Sequence, residues 1–252
     1  MNRFALVACA LGALAVSQAS GVVYNYQLDV TKFGRADQSN VSMPNSVTMV
    51  LGGGANSCVP TSIGNSYNYL QQAFPGTYGT TLVPTTPTNA AIDIGRNYTS
   101  TYSDLGTTGG NWIAGRQSYV EAKKPGVSTY GSTFGSYPSF MNVWFSMGAA
   151  MEVGILPAAG GIGHALTLTG YNWNDANNDG IVQQGENATL KVIDPFAPAG
   201  DLSLPFWQSG ANYSTTYSTI AYNVALMTAT IPAPGVAGLG VAAGLLATRR
   251  RR

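Results

Sequence analysis

Cys58 has the sequence surroundings of a nucleophile at the start of a helix. The segment GANSCVPTSIGNSYNYL contains it; Asn56 and Ser57 are residue types that favour a helix N-terminus, and Pro60 suits the first turn. Backbone N–H groups at that end of a helix favour a thiolate over a thiol. The sequence therefore predicts a helix that starts at or just after Cys58, with a cysteine that can act as a nucleophile.

A thiol nucleophile needs a base, and the chain offers a single histidine, His164. It follows the glycine-rich stretch AAGGIG and opens HALTLTGYNW, which alternates like a strand. The next strand-like run, ATLKVIDPF, contains Asp194 near its end. In an antiparallel hairpin the end of the second strand lies beside the start of the first. We therefore expect Asp194 to lie beside His164 and to orient its imidazole.

Between these two strands, the residues DANNDGIVQQGE (175–186) match the calcium-loop pattern D-x-[DN]-x-[DN]-G-x5-E at every position. The ligand positions of that pattern are occupied by Asp175, Asn177, Asp179, Ile181 (through its carbonyl), Gln183 (directly or through water) and Glu186. All of these ligands are oxygen atoms, which suits Ca²⁺. Strand-like sequence flanks the loop, so we expect an EF-hand-like loop within a hairpin and a structural Ca²⁺. The alternative is a polar hairpin loop without metal.

The first twenty residues are typical of an export signal. A basic start with Arg3 precedes an apolar run and then small residues, the pattern of a secretory signal peptide over residues 1–20. The expected processing partner is a signal peptidase, which leaves the remaining chain outside the cytoplasm. The alternative is that LVAC at Leu6–Cys9 is a lipoprotein attachment box.

The other end of the chain, residues 231–252, combines Pro232 and Pro234 with an apolar run at Val236–Ala247 and four terminal arginines. The apolar run is shorter than the roughly 20 residues of a spanning helix, and the arginines favour the cytoplasmic side of a membrane. This tail resembles the PEP-CTERM sorting signal of bacteria, which implies removal by an exosortase-type transpeptidase. The alternative is a plain C-terminal membrane anchor. Both place the body outside the cytoplasm, extracellular or associated with the cell envelope, and only the uncleaved tail would contact the membrane.

The body between these two ends, residues 21–230, is mildly acidic. It keeps 7 Lys and Arg against 11 Asp and Glu. No basic patch remains, so we expect no nucleic-acid partner. The length suffices for one domain with a hydrophobic core.

Three segments together, NSCVPTSIGNSYNYL, GHALTLTGYNW and LKVIDPF, resemble papain-like cysteine peptidases. The nearest resemblance is to the peptidases that cleave bacteriocin leaders after a double glycine, and it extends over Leu51–Phe196. It implies an α+β, papain-like fold, with an N-terminal helical part that carries the cysteine and an antiparallel sheet that carries the histidine and aspartate. It also implies that Cys58 is the nucleophile, His164 the general base and acid, and Asp194 the orienting carboxylate.

Such peptidases place a Gln several residues before the cysteine to help form the oxyanion hole, but VLGGGANS contains none. Asn56 is the candidate donor in this chain, next to the backbone N–H of Cys58. We expect a secreted cysteine peptidase that acts on a peptide or protein substrate. Two alternatives remain: an inactive papain-like domain that binds peptide or polymer in the cell envelope or biofilm matrix, and a calcium-stabilised structural surface protein.

Overall fold

The structure is a computed structural model, and it describes residues 21–46, 51–52 and 56–233. The predicted signal peptide at residues 1–20, with the alternative lipoprotein box, lies outside the described residues. Most of the predicted sorting tail, residues 234–252, also lies outside them. Within the described ranges no helix has the length and apolar character needed to cross a membrane.

Three strands open the described chain, four helices follow, then one strand and a fifth helix, and the last six elements are strands. The helices are α1 (Cys58–Ala73), α2 (Pro75–Tyr78), α3 (Pro87–Asn97), α4 (Gly109–Lys123) and α5 (Tyr137–Ser146). The strands are β1 (Val22–Gln27), β2 (Met43–Pro44), β3 (Leu51–Gly52), β4 (Ser128–Thr133), β5 (Ala150–Pro157), β6 (His164–Asp175), β7 (Thr189–Ile193), β8 (Asp201–Ser209), β9 (Asn212–Tyr217) and β10 (Ile220–Pro232). Two short 3-10 turns, Val30–Lys32 and Gln38–Asn40, lie between β1 and β2.

Six antiparallel strands close into a barrel. The strand order runs from β5 through β6, β7, β8 and β9 to β10, which pairs back with β5. The strand β1 pairs with the second half of β6, and β4 pairs with the second half of β10. The two long strands therefore extend beyond the barrel and carry one further strand each.

Irregular pairing in the two long strands accompanies this closure. The register shifts between Leu168 and Gly170 in β6 and between Val224 and Leu226 in β10. Such bulges bend a strand and increase its twist, which helps a sheet to curl. Gly170 also allows a close approach, because a Cβ at this position would lie 2.6 Å from the carbonyl oxygen of Tyr26.

Two large hydrophobic cores support the described part of the chain, and a small third cluster of Val41, Met43 and Ala91 lies apart from them. The barrel is filled by large buried side chains, among them Tyr171, Trp173 and Phe206. The second core lies between the helices and the barrel, and α1 contributes Ile63, Tyr67 and Leu70 to it. Their spacing of four and three residues places these side chains on one face of the helix. This buried face holds the N-terminus of α1 against the barrel.

A buried ion pair joins α4 to the barrel. The Nε of Arg116 in α4 donates to an oxygen of Glu152 in β5 at 2.6 Å, and both side chains are almost inaccessible to solvent. The hydroxyls of Ser66 in α1 and Thr228 in β10 also donate to this carboxylate. Because every charge is paired or hydrogen-bonded, the network can exist without water.

The predicted papain-like α+β fold is wrong. Its sheet was expected to be an antiparallel sheet beside a helical part, whereas the structure has a closed six-stranded antiparallel barrel. Sequence alternation identifies single strands, but closure depends on the pairing of β5 with both β6 and β10, which are far apart in the chain. The periodicity of a strand carries no information about which distant strand becomes its neighbour.

Candidate functional site

Cys58 and His164 meet where the first residue of α1 faces the first residue of β6. Both side chains line the same cleft, and Cys58 lies close enough to His164 to contribute to the pKa of the imidazole. The helix begins at Cys58, as the sequence predicted, but the Ser57 side chain donates to the carbonyl of Gln38 at 3.1 Å rather than capping the helix. Cys58 is thus the first residue of α1, at the end of the helix where the backbone N–H groups have no partner within the helix.

Two hydrogen bonds fix the helix against the strand one turn beyond this contact. The hydroxyl of Ser62 donates to the carbonyl of Ala165 at 2.9 Å, and the hydroxyl of Thr167 donates to the carbonyl of Ser62 at 3.0 Å. All three residues are buried. Because Ala165 follows His164 directly, these bonds set the position of the thiol relative to the imidazole.

Asp194 reaches the histidine through the predicted hairpin. The strands β6 and β7 pair antiparallel, with Thr167 opposite Ile193. Asp194 follows β7 directly, and its Oδ1 lies 2.8 Å from Nε2 of His164. The structure therefore brings together the three side chains that the sequence selected.

Tyr217, the last residue of β9, is a fourth member of the site that the sequence did not indicate. Its hydroxyl donates to Oδ2 of Asp194. The backbone N–H of Phe196 donates to Oδ1 of the same carboxylate at 2.8 Å. The rings of Tyr217 and Phe196 both lie against the imidazole of His164, with centroids 5.4 Å and 6.3 Å from it.

These contacts shift the pKa values of the site. Burial lowers the pKa of His164, but hydrogen bonds with Asp194 and Cys58 outweigh burial and raise it to about 9. Burial raises the pKa of Asp194, but hydrogen bonds from His164, Tyr217 and Phe196 hold it below its ordinary value. Burial and the Asp194 carboxylate raise the pKa of Tyr217. At neutral pH the site therefore contains an imidazolium, a carboxylate and a neutral phenol.

A cleft of about 600 Å³ opens onto Cys58 and His164. Its rim is formed by large apolar side chains that are exposed to solvent, namely Leu105, Phe134, Leu156, Ile162 and Phe196. Among the described residues that line this cleft there is no Asp, Glu, Lys or Arg. The thiol thus lies in an apolar cleft in which His164 supplies the formal positive charge.

The inner wall of the cleft includes Trp112 of α4. Its ring packs so closely on the backbone of Gly154 that a Cβ there would lie 2.8 Å from the ring. Gly154 pairs with Ala165, the neighbour of His164. The indole Nε1 of Trp112 is buried and has no acceptor within the described part of the chain.

The predicted oxyanion donor, Asn56, lines the cleft next to Cys58. Its amide nitrogen already donates one hydrogen bond, to the carbonyl of Ser103 at 2.8 Å. A glutamine far from Cys58 in the sequence also lies close: the backbone N–H of Gln38 donates to the carbonyl of Pro195 at 2.8 Å, and Gln38 is buried. The carbonyl of Gln38 accepts a hydrogen bond from Ser57, which precedes Cys58. Because Pro195 follows Asp194, Gln38 links the segments that carry the cysteine and the aspartate. Its distance from Cys58 along the chain hid this proximity.

The predicted calcium loop connects β6 to β7 and folds around its own acidic side chains. The two carboxylate oxygens of Asp175 accept hydrogen bonds from the backbone N–H groups of Asp179 and Gly180, each at 3.1 Å. The N–H of Asp179 also approaches the side-chain oxygen of Asn177 at 3.3 Å. Asn178 and Gly180 have positive φ values of 57° and 76°, which turn the chain sharply between these groups. The side chains at the first, third and fifth loop positions thus share one turn.

The last loop position, Glu186, closes the loop. Its carboxylate accepts hydrogen bonds from the backbone N–H groups of Ala176 and Gln183, and from the indole N–H of Trp173 at 2.9 Å. Asp179 accepts from the amide of Gln183 at 2.7 Å. Among the described residues, no three His, Cys, Asp or Glu side chains form a group that could hold a metal ion. The ligands of a Ca²⁺ ion in this loop would also include the amide oxygen of Asn177 and the carbonyl oxygen of Ile181. The donor chemistry of the loop therefore suits Ca²⁺.

Fold and site together define a six-stranded antiparallel barrel with a helix-borne cysteine beside a histidine–aspartate pair. A comparison with models of known protein families finds no match for this chain, and neither does a comparison with curated proteins.

Proposed function

We propose that the protein is an exported thiol hydrolase that cleaves a peptide bond in a peptide or protein substrate. The observation that carries this proposal is that Cys58 and His164 line one open cleft, with the imidazole of His164 bound to Asp194 at 2.8 Å. A nucleophile, a base and a group that orients the base are the three parts needed for acyl transfer. We assign these roles to Cys58, His164 and Asp194 in that order.

The reaction would proceed in two steps. The Cys58 thiolate attacks the substrate carbonyl carbon and forms a C–S bond, and the His164 imidazolium gives its proton to the amine as the C–N bond breaks. Water then attacks the thioester, His164 accepts a proton from it, and the C–S bond breaks to regenerate the thiolate. Asp194 keeps the imidazole oriented throughout. The backbone N–H of Cys58 and the second amide hydrogen of Asn56 are the candidate donors to the oxyanion.

The apolar rim supports a preference for uncharged, apolar substrate side chains. Burying a charged group against such walls would be costly because they offer no opposite charge. Bound apolar side chains would instead cover rim residues such as Phe134 and Ile162, which are 70% and 71% exposed. Contacts of this kind supply binding energy roughly in proportion to the apolar area removed from water.

Alkylation of Cys58 by iodoacetamide across pH tests the proposal. A free thiol with a pKa of about 8.5 is only about 3% thiolate at pH 7. Activation by His164 should make Cys58 of the wild type react faster at pH 7 than such a thiol does. The His164→Ala variant should lose this gain, while its rate at high pH should stay close to that of a free thiol. Equal rates for the two proteins at pH 7 would contradict the proposal.

A catalytically inactive protein that binds peptide is the second candidate. The hydrogen bond from Asn56 to Ser103 favours it, because that amide is partly committed to the protein rather than free for an oxyanion. Losing an oxyanion donor lowers turnover by about 100-fold or more. A protein of this kind would bind apolar peptides equally well with Cys58 or with the Cys58→Ala substitution, and it would not cleave them.

We further propose that residues 175–186 bind a structural Ca²⁺. The geometry in favour of it is the shared turn of Asp175, Asn177 and Asp179, together with Glu186 at the closing position. Because this loop joins the strand that starts with His164 to the strand that ends before Asp194, a bound ion would stabilise the hairpin that supports both residues. Extracellular calcium is abundant enough for a weak site. Export by the predicted signal peptide and processing of the tail by an exosortase-type transpeptidase remain part of this proposal.

A further inference from the structure

We propose that Tyr217 is a positioning residue of the site: its hydroxyl fixes the second carboxylate oxygen of Asp194, and its ring fixes the plane of the His164 imidazole. The catalytic importance of this role rests on the hydrolase function proposed above. Its geometry can be tested without any substrate.

The hydroxyl of Tyr217 completes the hydrogen bonding of Asp194. Oδ1 of Asp194 is shared between Nε2 of His164 and the N–H of Phe196, both at 2.8 Å. Oδ2 accepts the hydroxyl of Tyr217. A carboxylate with donors on one oxygen alone can rotate about its Cβ–Cγ bond, whereas donors on both oxygens fix its plane. The direction of the bond to His164 therefore depends on Tyr217.

The ring of Tyr217 is itself held in place from two sides. It meets the ring of Tyr222 edge to face at 5.7 Å, and its other neighbour is the imidazole of His164. Tyr217 is also the last residue before a two-residue hairpin turn, where it pairs with Ile220. Both turn residues, Ser218 and Thr219, have positive φ values, 46° and 68°.

That turn is unusual in its residues. Two-residue hairpins of type I′ need positive φ at both central positions and normally use Asn, Asp or Gly there. A β-branched threonine in this conformation is strained, and such strain persists only where the surrounding structure enforces it. The turn therefore holds the end of β9, and with it Tyr217, beside Asp194. A longer, relaxed loop would leave the position of Tyr217 less well defined.

The titratable groups around the imidazole belong to three elements. They are Cys58 of α1, Asp194 after β7 and, through Asp194, Tyr217 of β9. Removing the phenol hydroxyl takes one of the donors away from Asp194, so its carboxylate should accept a proton at a higher pH than before. Once protonated, Asp194 no longer holds the imidazolium, and the His164 signal reports that event.

The test is an NMR titration of the single histidine in the wild type and in the Tyr217→Phe variant. The acid-side inflection of the His164 signal should move up by about one pH unit in Tyr217→Phe. Iodoacetamide alkylation of Cys58 should show the same shift of its acidic limb. The matched control is Tyr213→Phe, because Tyr213 lies on the same strand but packs against Tyr137 and Phe206 inside the barrel. It should leave both profiles unchanged.

The Asp194→Asn background shows whether Tyr217 acts through Asp194. If it does, adding Tyr217→Phe to Asp194→Asn should change neither profile further, which is the non-additivity expected of residues in one network. A Tyr217→Phe profile equal to that of the wild type, or an equal effect of the substitution in both backgrounds, would overturn the proposal. A structural role alone would lower the melting temperature and leave the acid-side inflection in place.

A measurement on the wild type avoids any problem with folding of the variant. The ¹³Cζ signal of Tyr217 should move at the same low pH as the acid-side inflection of His164, because both neighbours sense the protonation of Asp194. A Tyr217 signal that does not respond at that pH would also overturn the proposal. If the Tyr217 results hold but the His164→Ala substitution leaves alkylation at pH 7 unchanged, the hydrolase function fails and the positioning contact stands.

Discussion

At the scale of single residues, His164 can report directly on the site because the chain has one histidine. Its contacts with Asp194 and Cys58 raise its pKa to about 9, so an NMR titration should show one imidazole that stays protonated well above pH 7. The Cys58→Ala substitution should lower this pKa, because the cysteine is one of the groups that raises it. A histidine that titrates near its ordinary value of about 6.5 would contradict the geometry.

The raised pKa of His164 also predicts how the stability of the protein depends on pH. The pKa of His164 is higher in the folded protein than the 6.5 of the unfolded chain, so its protonated form stabilises the fold. This contribution should be fully present below about pH 6.5 and be lost as the pH rises through about 9. Melting temperatures of wild type and His164→Ala should therefore converge as the pH increases. Divergence toward high pH would mean that the neutral imidazole is the stabilising form.

Some members of the site could be predicted from sequence because each has a local signature. Cys58 follows helix-capping residue types, His164 opens an alternating run and Asp194 closes one. Tyr217 and Gln38 have no such signature. They join the site through β9 and through the 3-10 turn before β2, and only the folded chain brings these segments to Asp194 and Ser57. Residues that support a site from distant segments are invisible to a search by motif and spacing.

At the scale of the element, the hairpin loop between β6 and β7 gives a separate prediction. Calcium at about ten times its dissociation constant should stabilise the fold by about 1.4 kcal/mol. For a protein of this size the melting temperature should rise by about 3–6 °C. The fluorescence of Trp173 should change as well, because its indole N–H bonds to Glu186. The measurement is a melting curve in EDTA and in millimolar Ca²⁺.

Two controls separate calcium binding from a general effect of the loop. The Asp175→Ala variant should lose the calcium-induced rise, even though its own melting temperature can also fall because Asp175 accepts two backbone hydrogen bonds. Mg²⁺ at equal concentration should give a smaller rise, since it demands a tighter octahedral shell. Identical melting curves of the wild type in EDTA and in Ca²⁺ would mean that residues 175–186 form a polar loop that binds no Ca²⁺.

The elements themselves were more predictable than their arrangement. The residue patterns indicated a helix at Cys58 and an antiparallel hairpin from His164 to Asp194, and the structure contains both. The closed barrel was not predictable in this way, since it requires β10 to pair with β5 and with β9 at once. The long strands carry the bulges that permit this, and nothing in their alternation marks a bulge before the partners are known.

At the scale of the whole molecule, the helices and the barrel depend on the buried pair of Arg116 and Glu152. Burial lowers the pKa of Arg116, but the neighbouring Glu152 outweighs it, so the guanidinium stays charged inside the protein. The Glu152→Gln substitution should cost about 3–5 kcal/mol, because it leaves that charge buried and unpaired. This is a large part of the roughly 5–15 kcal/mol that stabilises a typical domain. The free energy of unfolding in urea measures it.

A second ion pair on helix α4 serves as a control for the buried pair of Arg116 and Glu152. Lys123, on the same helix, pairs with Asp93 of α3 at 2.9 Å, but about 30% of each side chain remains exposed, 29% and 31%. Water therefore screens this pair, and Asp93→Asn should cost no more than about 1 kcal/mol. Loss of Glu152 should also change the alkylation of Cys58, because the carboxylate bonds to Ser66 on the helix that begins with the cysteine. Equal unfolding free energies for Glu152→Gln and Asp93→Asn would mean that packing alone, rather than the buried pair, joins the helices to the barrel.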